Sequence, residues 1–426
     1  MTIDTENLVG KFRITFSPKT YPSLTRKIIL SIDATYMILG SFSWVDYSND
    51  EFGIEVISDD IFKTDINDRE FWIILSTFKI EIFDKYNYLG RILNAPNCKL
   101  NSVTLEYQRK DNGTTDYYTY FSGFWDHKVF MFDETKNLFT MEFSPQSEKL
   151  NYSPTHIGET FNNLLGDYYD WNSNQYVLVK TLITDLYKII DPDISVEFTH
   201  DWTWKAEVSP PPRSFEVNFD NLYVRYRGLF QTLDGEGYSP NGYKTYMKVL
   251  KALAFDLGCV TGMISQKRAI FKVLHPITSY RQVTVNSESR KQLIFKRPYQ
   301  KLNYLVLRAD NTLYGESGTD TGIEEEKLEI FVYQNVYRIF AEGNYYTVGY
   351  IKSSEYSYKY KYDFLADYWG EYYLSRQTVR RDELILPRTD ILIRDCLVLG
   401  DKYFITELVQ NLTKEESTYK LIPYWK

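Results

Sequence analysis

The chain has 426 residues and carries 57 acidic against 49 basic side chains, a formal net charge of −8. This length exceeds what one hydrophobic core usually organises, so two to four domains are expected. The acidic balance argues against a protein that holds nucleic acid by neutralising phosphates.

The three cysteines, Cys98, Cys259 and Cys396, are odd in number and form no CxxC pair. They argue against a disulfide framework and a structural zinc site, and they favour synthesis in a reducing compartment.

Aromatic residues are abundant, with 38 Tyr, 26 Phe and 8 Trp. Strand propensity and core filling account for most of them. Because so many tyrosines exceed what cores normally bury, we expect part of them to serve subunit interfaces, where Tyr and Trp are enriched.

The N-terminal segment, Met1 to Lys11, is polar and acidic and lacks the apolar stretch of a signal peptide. No run in the chain approaches the roughly 18 apolar residues that a membrane span needs. The sequence therefore predicts a soluble protein with neither a classical export signal nor a membrane span.

The N-terminal part, from Phe12 to Leu150, alternates in short runs bounded by turn residues, which is typical of strands. One hairpin is predicted from Val103 to Tyr120, because the Asn112-Gly113 pair tolerates the positive φ values of tight turns. A second hairpin is predicted from the strands Phe124 to Phe132 and Leu138 to Phe143, which a turn through Asp133 to Asn137 joins.

Two amphipathic helices follow a short helical segment that the pattern places within Thr155 to Asp170. The first, Val177 to Ile190, has Leu and Ile residues at three- and four-residue spacing, and Pro192 ends it. The second, Tyr243 to Leu257, precedes Gly258 at the position of a left-handed C-terminal cap. Around these helices we predict three strands and a stiff connector: Ile194 to Phe198, Val260 to Ile264, Ala269 to Val273, and Pro210 to Pro212.

The C-terminal part returns to strand patterning from Gln292, interrupted by a polar loop, Gly315 to Glu326, which is predicted to be mobile or exposed. A third helix is predicted over Phe364 to Arg376. The predicted strands of this part are Leu302 to Arg308, Asp390 to Ile393, Cys396 to Leu399, Lys402 to Ile405 and Tyr419 to Ile422.

Candidate catalytic residues are sparse. The four histidines are isolated in sequence and form no HExxH motif: His127, His156, His200 and His275. Asp363, Asp367 and Glu371 share one face of the third helix and could form an acid/base pair, but a solvated helix face is the favoured interpretation. We therefore predict no catalytic residue, no metal site and no cofactor site, and a protein that is not an enzyme.

Two aromatic groups could bind ligands. The basic and aromatic segment Tyr356 to Tyr362, with Arg376, Arg380 and Arg381, is similar to a stacking platform for single strands, although an exposed Lys/Tyr strand is the favoured interpretation. Sugar platforms could use four tryptophans, for which burial in a core or interface is favoured: Trp125, Trp202, Trp204 and Trp369. Gly235-Glu236-Gly237 lacks the full glycine pattern of a nucleotide loop.

The helix and hairpin formed by Tyr246 to Cys259 and Ala269 to Val273 resemble those of the tail hub proteins of bacteriophages, the gp27-like family. Tyr120 to Phe124, followed by the Leu138 to Phe143 strand, resembles the hairpin of that family's first barrel. Further matching segments are the Val177 to Ile190 helix, the Phe364 to Arg376 helix, and the strands Leu384 to Leu386 and Asp401 to Thr406. The first 100 residues match least and could instead resemble a distal tail protein.

This resemblance implies a homotrimer, with higher ring symmetry as an alternative, whose two barrel-like domains per subunit form a ring with a central channel. Such a hub joins the tail tube to a tip or fibre protein and lets DNA or a tape-measure protein pass. It implies a virion tail protein assembled in the cytoplasm of the bacterial host.

Together these patterns predict a β-rich α+β fold with two barrel-like β domains flanking a central α+β region. The expected domains are an N-terminal tube-interface barrel (1–155), a central part with two helices (156–275) and a C-terminal barrel-like part with one helix (276–426). The alternatives are a receptor- or carbohydrate-binding tail protein, a distal tail protein, or a glycoside hydrolase, which needs two opposed carboxylates. Because no domain-sized segment is spare for a fused lysozyme or peptidase, we predict no cell-wall hydrolysis.

Overall fold

The computed structural model of the chain describes most of the predicted strand and helix regions. The described residues are 9–20, 28–31, 34–37, 45–48, 54–56, 60–66, 74–86, 98–109, 116–151, 176–199, 204–208, 213–225, 229–234, 237–265, 267–273, 281–296, 302–309, 312–332, 335–348, 350–352, 359–360, 365–367, 369–370, 374, 381–393, 395–411 and 416–423.

Strands dominate the described residues, and two α-helices are described from end to end. The strands are β1 Val9–Thr20, β2 Ile28–Ser31, β3 Ala34–Met37, β4 Val45–Ser48, β5 Ile54–Val56, β6 Asp60–Ile66, β7 Ile74–Asp84, β8 Cys98–Arg109, β9 Tyr118–Asp133, β10 Leu138–Pro145, β11 Tyr176–Leu178, β12 Ser195–Phe198, β13 Trp204–Val208, β14 Arg213–Val217, β15 Leu222–Arg225, β16 Gln231–Asp234, β17 Gly237–Tyr243, β18 Cys259–Ser265, β19 Arg268–Val273, β20 Arg281–Thr284, β21 Gln292–Lys296, β22 Tyr304–Ala309, β23 Thr312–Gly318, β24 Lys327–Phe331, β25 Tyr337–Ala341, β26 Asn344–Thr347, β27 Tyr350–Lys352, β28 Lys359–Tyr360, β29 Arg381–Pro387, β30 Asp395–Val398, β31 Lys402–Asn411 and β32 Glu416–Pro423. The helices are α1 Val179–Lys188 and α2 Tyr246–Asp256. Short 3-10 turns span Gln146–Asn151, Ser287–Ser289 and Glu324–Glu326.

One large sheet contains strands from both ends of the chain. Its order is β21-β29-β32-β31-β6-β7-β10-β9-β8-β1-β2-β3-β4. The N-terminal and C-terminal strands meet where β6 pairs antiparallel with β31, with Lys63 opposite Val409. The predicted domain boundaries stay a prediction, but the two outer parts of the chain share this sheet.

The predicted N-terminal hairpins are present as antiparallel pairs β8–β9 and β9–β10. The Asp111 to Thr114 turn lies outside the described residues. In the second hairpin Asn137 has a positive φ of 52°, and the Asp133 side chain accepts bonds from the Thr135 and Lys136 amides. Side-chain alternation on β7, with Phe78 buried and Lys79 exposed, gives this sheet one core face.

Both amphipathic helices form where predicted, with shorter bounds. α1 begins at Val179 because the three preceding residues form β11, whose Val177 pairs with Val224 of β15. α2 begins after Thr245, whose side chain accepts a bond from the Lys248 amide at 3.2 Å as an N-cap. Gly258 has a φ of +62°, so the predicted left-handed cap is confirmed.

The third predicted helix is helical at each of its described positions, 365–367, 369–370 and 374. Trp369 is fully buried and stacks on Phe255 of α2, with ring centroids 5.3 Å apart. Its indole Nε1 donates to the Phe255 carbonyl at 3.1 Å, which satisfies an acceptor in the last turn of α2. This helix is therefore fixed against the central core.

Two predictions for the C-terminal part were wrong in detail. Residues 390–393, predicted as a strand, form a loop between β29 and β30. The reason is that Asp390 bonds Arg109 and the Leu392 amide donates to Asp395, so local bonds replace a strand ladder. The predicted loop from residue 315 begins later, since residues 315–318 belong to β23, while residues 318–325 are exposed as predicted.

Smaller sheets and the two helices complete a β-rich α+β fold, which confirms the predicted class. Their orders are β11-β15-β25-β26, β12-β19-β18, β14-β13-β27-β28, β16-β17 and β23-β22-β24. Tyr187 of α1 and Thr261 of β18 share a buried hydroxyl hydrogen bond of 2.6 Å. No helix within the described ranges is long and apolar enough to cross a membrane. The predicted segments Thr155 to Asp170 and Pro210 to Pro212 lie outside the described residues.

Candidate functional site

Few of the sequence-predicted ligand-binding and catalytic residues can be placed. His127 lies in β9, without a described side chain, and the other three histidines lie outside the described residues. Asp367 is half-buried on the third helix, while its two proposed partners, Asp363 and Glu371, lie outside the described residues. The acid/base grouping is therefore untested.

The residues of the predicted aromatic platforms can likewise be placed only in part. Trp369 is a core residue, as favoured from the sequence, and presents no ring to a sugar. Trp125 and Trp204 lie in strands without described side chains, and Trp202 is outside the described residues. Of the Tyr356 to Tyr362 segment only β28 is described. Of the three arginines proposed with that segment, two are outside the described residues and the third begins β29 without a described side chain.

A four-charge cluster with two buried carboxylates and two partly exposed arginines, here called the junction, connects the two ends of the chain. Arg109 of β8 donates from Nη2 to Oδ2 of Asp390 at 2.6 Å. Arg281 of β20 binds both carboxylate oxygens of Asp395, at 2.9 and 2.6 Å. Arg281 also lies 3.8 Å from the Asp390 carboxylate, so two cations and two anions form one group. Both aspartate side chains are only 1% exposed.

A chain of neutral hydrogen bonds extends the junction through the large sheet. The Tyr120 hydroxyl donates to the carbonyl of Thr389. The Gln410 amide donates to the Tyr120 hydroxyl at 2.9 Å and accepts from Ser417 at 2.7 Å. Thr389 and Tyr419 share a hydroxyl bond of 2.6 Å. Because these groups are buried, each partner is needed to offset the lost bonds to water.

Burial dominates the electrostatics of the junction. It raises the pKa of Tyr107 to about 12, and the nearby Asp390 carboxylate acts in the same direction. Burial likewise raises the pKa of Tyr120 and of Tyr419 above the usual value for tyrosine. It also raises the pKa of Asp390, against the effect of Arg281 and Arg109. The tyrosines therefore remain neutral hydrogen-bonding groups through the physiological range.

Sequence reasoning missed the junction entirely. Arg109 and Asp390 are 281 positions apart, and no local motif links them. The only available signal was the charged residue that begins the segment 390–393, which the strand prediction treated as part of an alternating pattern.

A second feature is an exposed surface on the four-stranded sheet β11-β15-β25-β26. We call it the aromatic face, and its residues are Tyr176, Tyr223, Arg338, Phe340 and Tyr345. Residues that alternate with these along the strands point into the core and are buried, among them Leu222, Val224, Tyr337 and Ile339. The hydroxyl of Tyr337 donates to the buried Asp256 carboxylate at the end of α2, which anchors the sheet.

The hairpin between β25 and β26 sets the pairing on this face. Its two loop residues, Glu342 and Gly343, have φ values of 51° and 78°, as in a type I′ turn. This turn places Phe340 directly opposite Tyr345, with ring centroids 4.9 Å apart. The exposed fractions of these two residues are 42% and 53%, so large apolar area faces solvent.

Arg338 gives the aromatic face a positive charge. Its guanidinium lies 4.1 Å from the ring centroid of Tyr176, a cation–π contact. Across the strand, Tyr223 is its register partner and also contacts Tyr345 edge-on at 5.2 Å. In the described part of the chain no carboxylate forms an ion pair with Arg338. The face therefore combines aromatic rings in contact with a cation that no described carboxylate neutralises.

Neither feature has the geometry of a catalytic or metal centre. Among the described residues no group of three or more His, Cys, Asp or Glu side chains could hold a metal ion. Asp390 and Asp395 are close, but burial and arginine contacts remove them from any substrate. What the arrangement can do chemically is hold strands together at the junction and bind another surface at the aromatic face.

No family model matches the chain and no curated protein sequence matches it significantly. Solved structures do resemble it. The 43 kDa tail protein of prophage MuSo2 from Shewanella oneidensis is 11% identical with a TM-score of 0.42, over 87% of this chain and 95% of that one. A tail protein from Neisseria meningitidis MC58 is 8% identical with a TM-score of 0.41, over 87% and 95% of the two chains.

A third similar structure is an E. coli component of the type VI secretion system, itself described as structurally similar to the T4 bacteriophage tail proteins gp27 and gp5. It is 11% identical with a TM-score of 0.38, over 88% of this chain and 77% of that one. The structures found thus include phage tail proteins, the class that the sequence resembles. The similarity is loose, and it assigns this chain neither a position in a tail nor a partner.

Proposed function

We propose that this chain is a structural tail component, a hub of which several copies form a ring that joins a tail tube to its tip. One observation carries the proposal: strands from the two ends of the chain form a single wide sheet, and a cluster of four charges with two buried carboxylates holds them together. Such a scaffold uses its buried charges for its own rigidity, which suits a part that transmits load between neighbours.

Three sequence features support the same function. The helix and hairpin around Tyr246 to Cys259 resemble those of tail hub proteins. The 38 tyrosines supply material for subunit interfaces. A net charge of −8 suits a channel that must not bind the polyanion passing through it. In this proposal the ring is a homotrimer, and DNA or a tape-measure protein passes through its channel.

The proposal includes the absence of enzymatic activity. The most closely grouped buried carboxylates that the structure describes, Asp390 and Asp395, are bound by Arg109 and Arg281. A general acid or base must instead reach its substrate within hydrogen-bond distance. Zymography on peptidoglycan is expected to show no clearing, and a cleared zone would contradict this part of the proposal.

Location in the particle is the direct test of the proposed function. Gold-labelled antibodies against the chain should mark one end of purified tails in electron micrographs. Labelling along the whole tail would indicate a tube protein, and particles without label would contradict the tail assignment. A glycan array with the isolated protein tests the carbohydrate-binding alternative, for which a specific signal from a monomer would be required.

A further inference from the structure

We propose that the aromatic face docks onto residues 319–325 of a second copy of this chain, in a head-to-tail contact repeated around the ring. We call residues 319–325 the acidic loop. The inference rests on the proposed function in that it needs a ring of identical copies. The inference adds to that function the identity of the two surfaces that meet between neighbouring copies.

The aromatic face has the composition of an interface core. Aromatic residues and arginine are enriched at such cores, whereas most other charged side chains are depleted. Phe340 and Tyr345 expose 42% and 53% of their surfaces, and Tyr223 extends the same cluster through its contact with Tyr345. Arg338 is held in place by Tyr176 and keeps its charge without a carboxylate partner in the described ranges. A partner for this face should present an apolar side chain beside an acid.

The acidic loop presents that combination. Ile323 is 48% exposed, and the next residue, Glu324, has a side chain that is 85% exposed. The intramolecular partner of Glu324 is Lys327 at 3.7 Å, which is a loose, solvent-screened pair. Asp320 lies in the same exposed loop and adds a second negative charge.

Internal hydrogen bonds give the acidic loop a defined shape before any contact forms. The Thr319 amide donates to the Asn303 carbonyl at 2.8 Å, which fixes the start of the loop. The Gly322 amide donates to Asp320 at 2.9 Å, and the Thr321 hydroxyl donates to Glu326 at the same distance. A shaped loop loses less conformational entropy on docking than a free one.

The two surfaces do not satisfy each other within one copy. Arg338 of the same copy forms no ion pair with the acidic loop. Contacts between two different surfaces of identical copies are heterologous, and they close into rings when the rotation permits.

Reciprocal charge reversal tests this pairing. The mass of the full chain is measured by analytical ultracentrifugation over a concentration series. Arg338→Glu and Glu324→Arg should each raise the concentration needed for assembly at least about tenfold, since like charges then face each other. The double variant Arg338→Glu/Glu324→Arg should recover much of the assembly, because every contact again joins opposite charges.

Mixing the single variants gives a sharper result. In an equimolar mixture, every contact between the two different variants joins opposite charges, whereas every contact between identical variants joins like charges. Two variants cannot alternate around a ring of three, so one contact in each mixed ring joins like charges and ring closure should stay weaker than in the native chain. Closure of rings of three in the mixture at the native concentration would overturn the head-to-tail assignment.

A matched pair of neutral variants controls for folding. Tyr345→Ser removes an exposed ring from the aromatic face, and Met131→Ser removes a side chain that is 65% exposed on β9. Both should melt within a few degrees of the native chain, and only Tyr345→Ser should weaken assembly. If the native chain forms rings that withstand Tyr345→Ser and Arg338→Glu equally, the inference is wrong and the proposed function stands. A native chain that is monomeric at every concentration would contradict the ring that both the inference and the proposed function require.

Discussion

Arginines in two regions of this molecule have opposite surroundings. At the junction, Arg109 and Arg281 each bind an aspartate whose side chain is 1% exposed. On the aromatic face, Arg338 lies over a tyrosine ring, and the described residues supply it with no carboxylate. Where the chain neutralises its own charge in the interior, the charge serves folding. Where it leaves a fixed charge beside exposed rings, the charge is available to a partner.

The largest expected effect comes from breaking the junction. Asp390→Asn removes one buried anion, so Arg109 loses its carboxylate partner and Arg281 keeps only Asp395. Because both guanidinium groups stay partly exposed to water, we expect the free energy of unfolding to fall by about 2 kcal/mol. Urea unfolding followed by circular dichroism measures it. Asp193→Asn, which removes an exposed partner of Lys267, is the matched control and should leave the midpoint unchanged; equal effects would contradict the account.

The junction should also fail at alkaline pH. Because burial raises the pKa of Tyr107 to about 12, its folded pKa lies above its unfolded value of 10.0. The stability that the neutral phenol provides is then present below pH 10 and is lost as pH rises toward 12. Tyr107→Phe removes this titration, so its stability relative to the native chain should improve by about 2 kcal/mol between pH 9 and pH 12. A stability difference between Tyr107→Phe and the native chain that does not depend on pH would argue against a desolvated Tyr107.

Burial shifts the pKa of Asp185 on α1 more than its ion-pair partner Lys188 does. Burial raises its pKa to about 6, and Lys188, at 3.9 Å, only partly opposes the shift. Its folded pKa exceeds the ordinary aspartate value of 3.8, so stability is lost as pH rises through about 6. Asp185→Asn should stabilise the chain by about 1 kcal/mol at pH 8, after allowance for solvent screening. Near pH 4 the gain should vanish, and thermal melts at the two pH values decide it.

Backbone strain provides a comparison in which no charge is involved. Gly258 ends α2 with a φ of +62°, where a β-carbon costs about 1 kcal/mol. Gly258→Ala should therefore lower the free energy of unfolding by that amount. Gly258→Asn should cost less, because asparagine tolerates the left-handed region better. Equal losses for the two variants would point to crowding instead of backbone conformation.

The smallest effect on stability is expected at Arg338. Arg338→Ala loses one cation–π contact near the surface, worth no more than about 1 kcal/mol. If the account is right, urea unfolding hardly changes while self-association weakens. A loss as large as that of Asp390→Asn would make Arg338 a folding residue and remove the contrast between the two regions.

Local patterns gave most of the fold. Alternation and turn residues predicted the β8–β9–β10 hairpins, and the spacing of leucines predicted α1. Gly258 marked the end of α2 because a left-handed cap has few sequence solutions. Each of these features is encoded within about 20 neighbouring residues, so a sequence alone reveals it.

Long-range features could not be read in the same way. The pairing of β6 with β31 and the contact of Arg109 with Asp390 join residues that are hundreds of positions apart. The segment 390–393 misled the strand prediction because its side chains satisfy the junction instead of a ladder. The aromatic face was also invisible, since exposure of Phe340 and Tyr345 depends on how the other face of their sheet is covered.

The central claim is that this scaffold assembles with copies of itself into a ring. The most direct measurement is the solution mass of the full chain by light scattering, with negative-stain averages of the same peak. Three copies of the 50.5 kDa chain, about 152 kDa, with an open ring in the averages, are what the account predicts. A stable monomer of 50.5 kDa without rings at any concentration would contradict it.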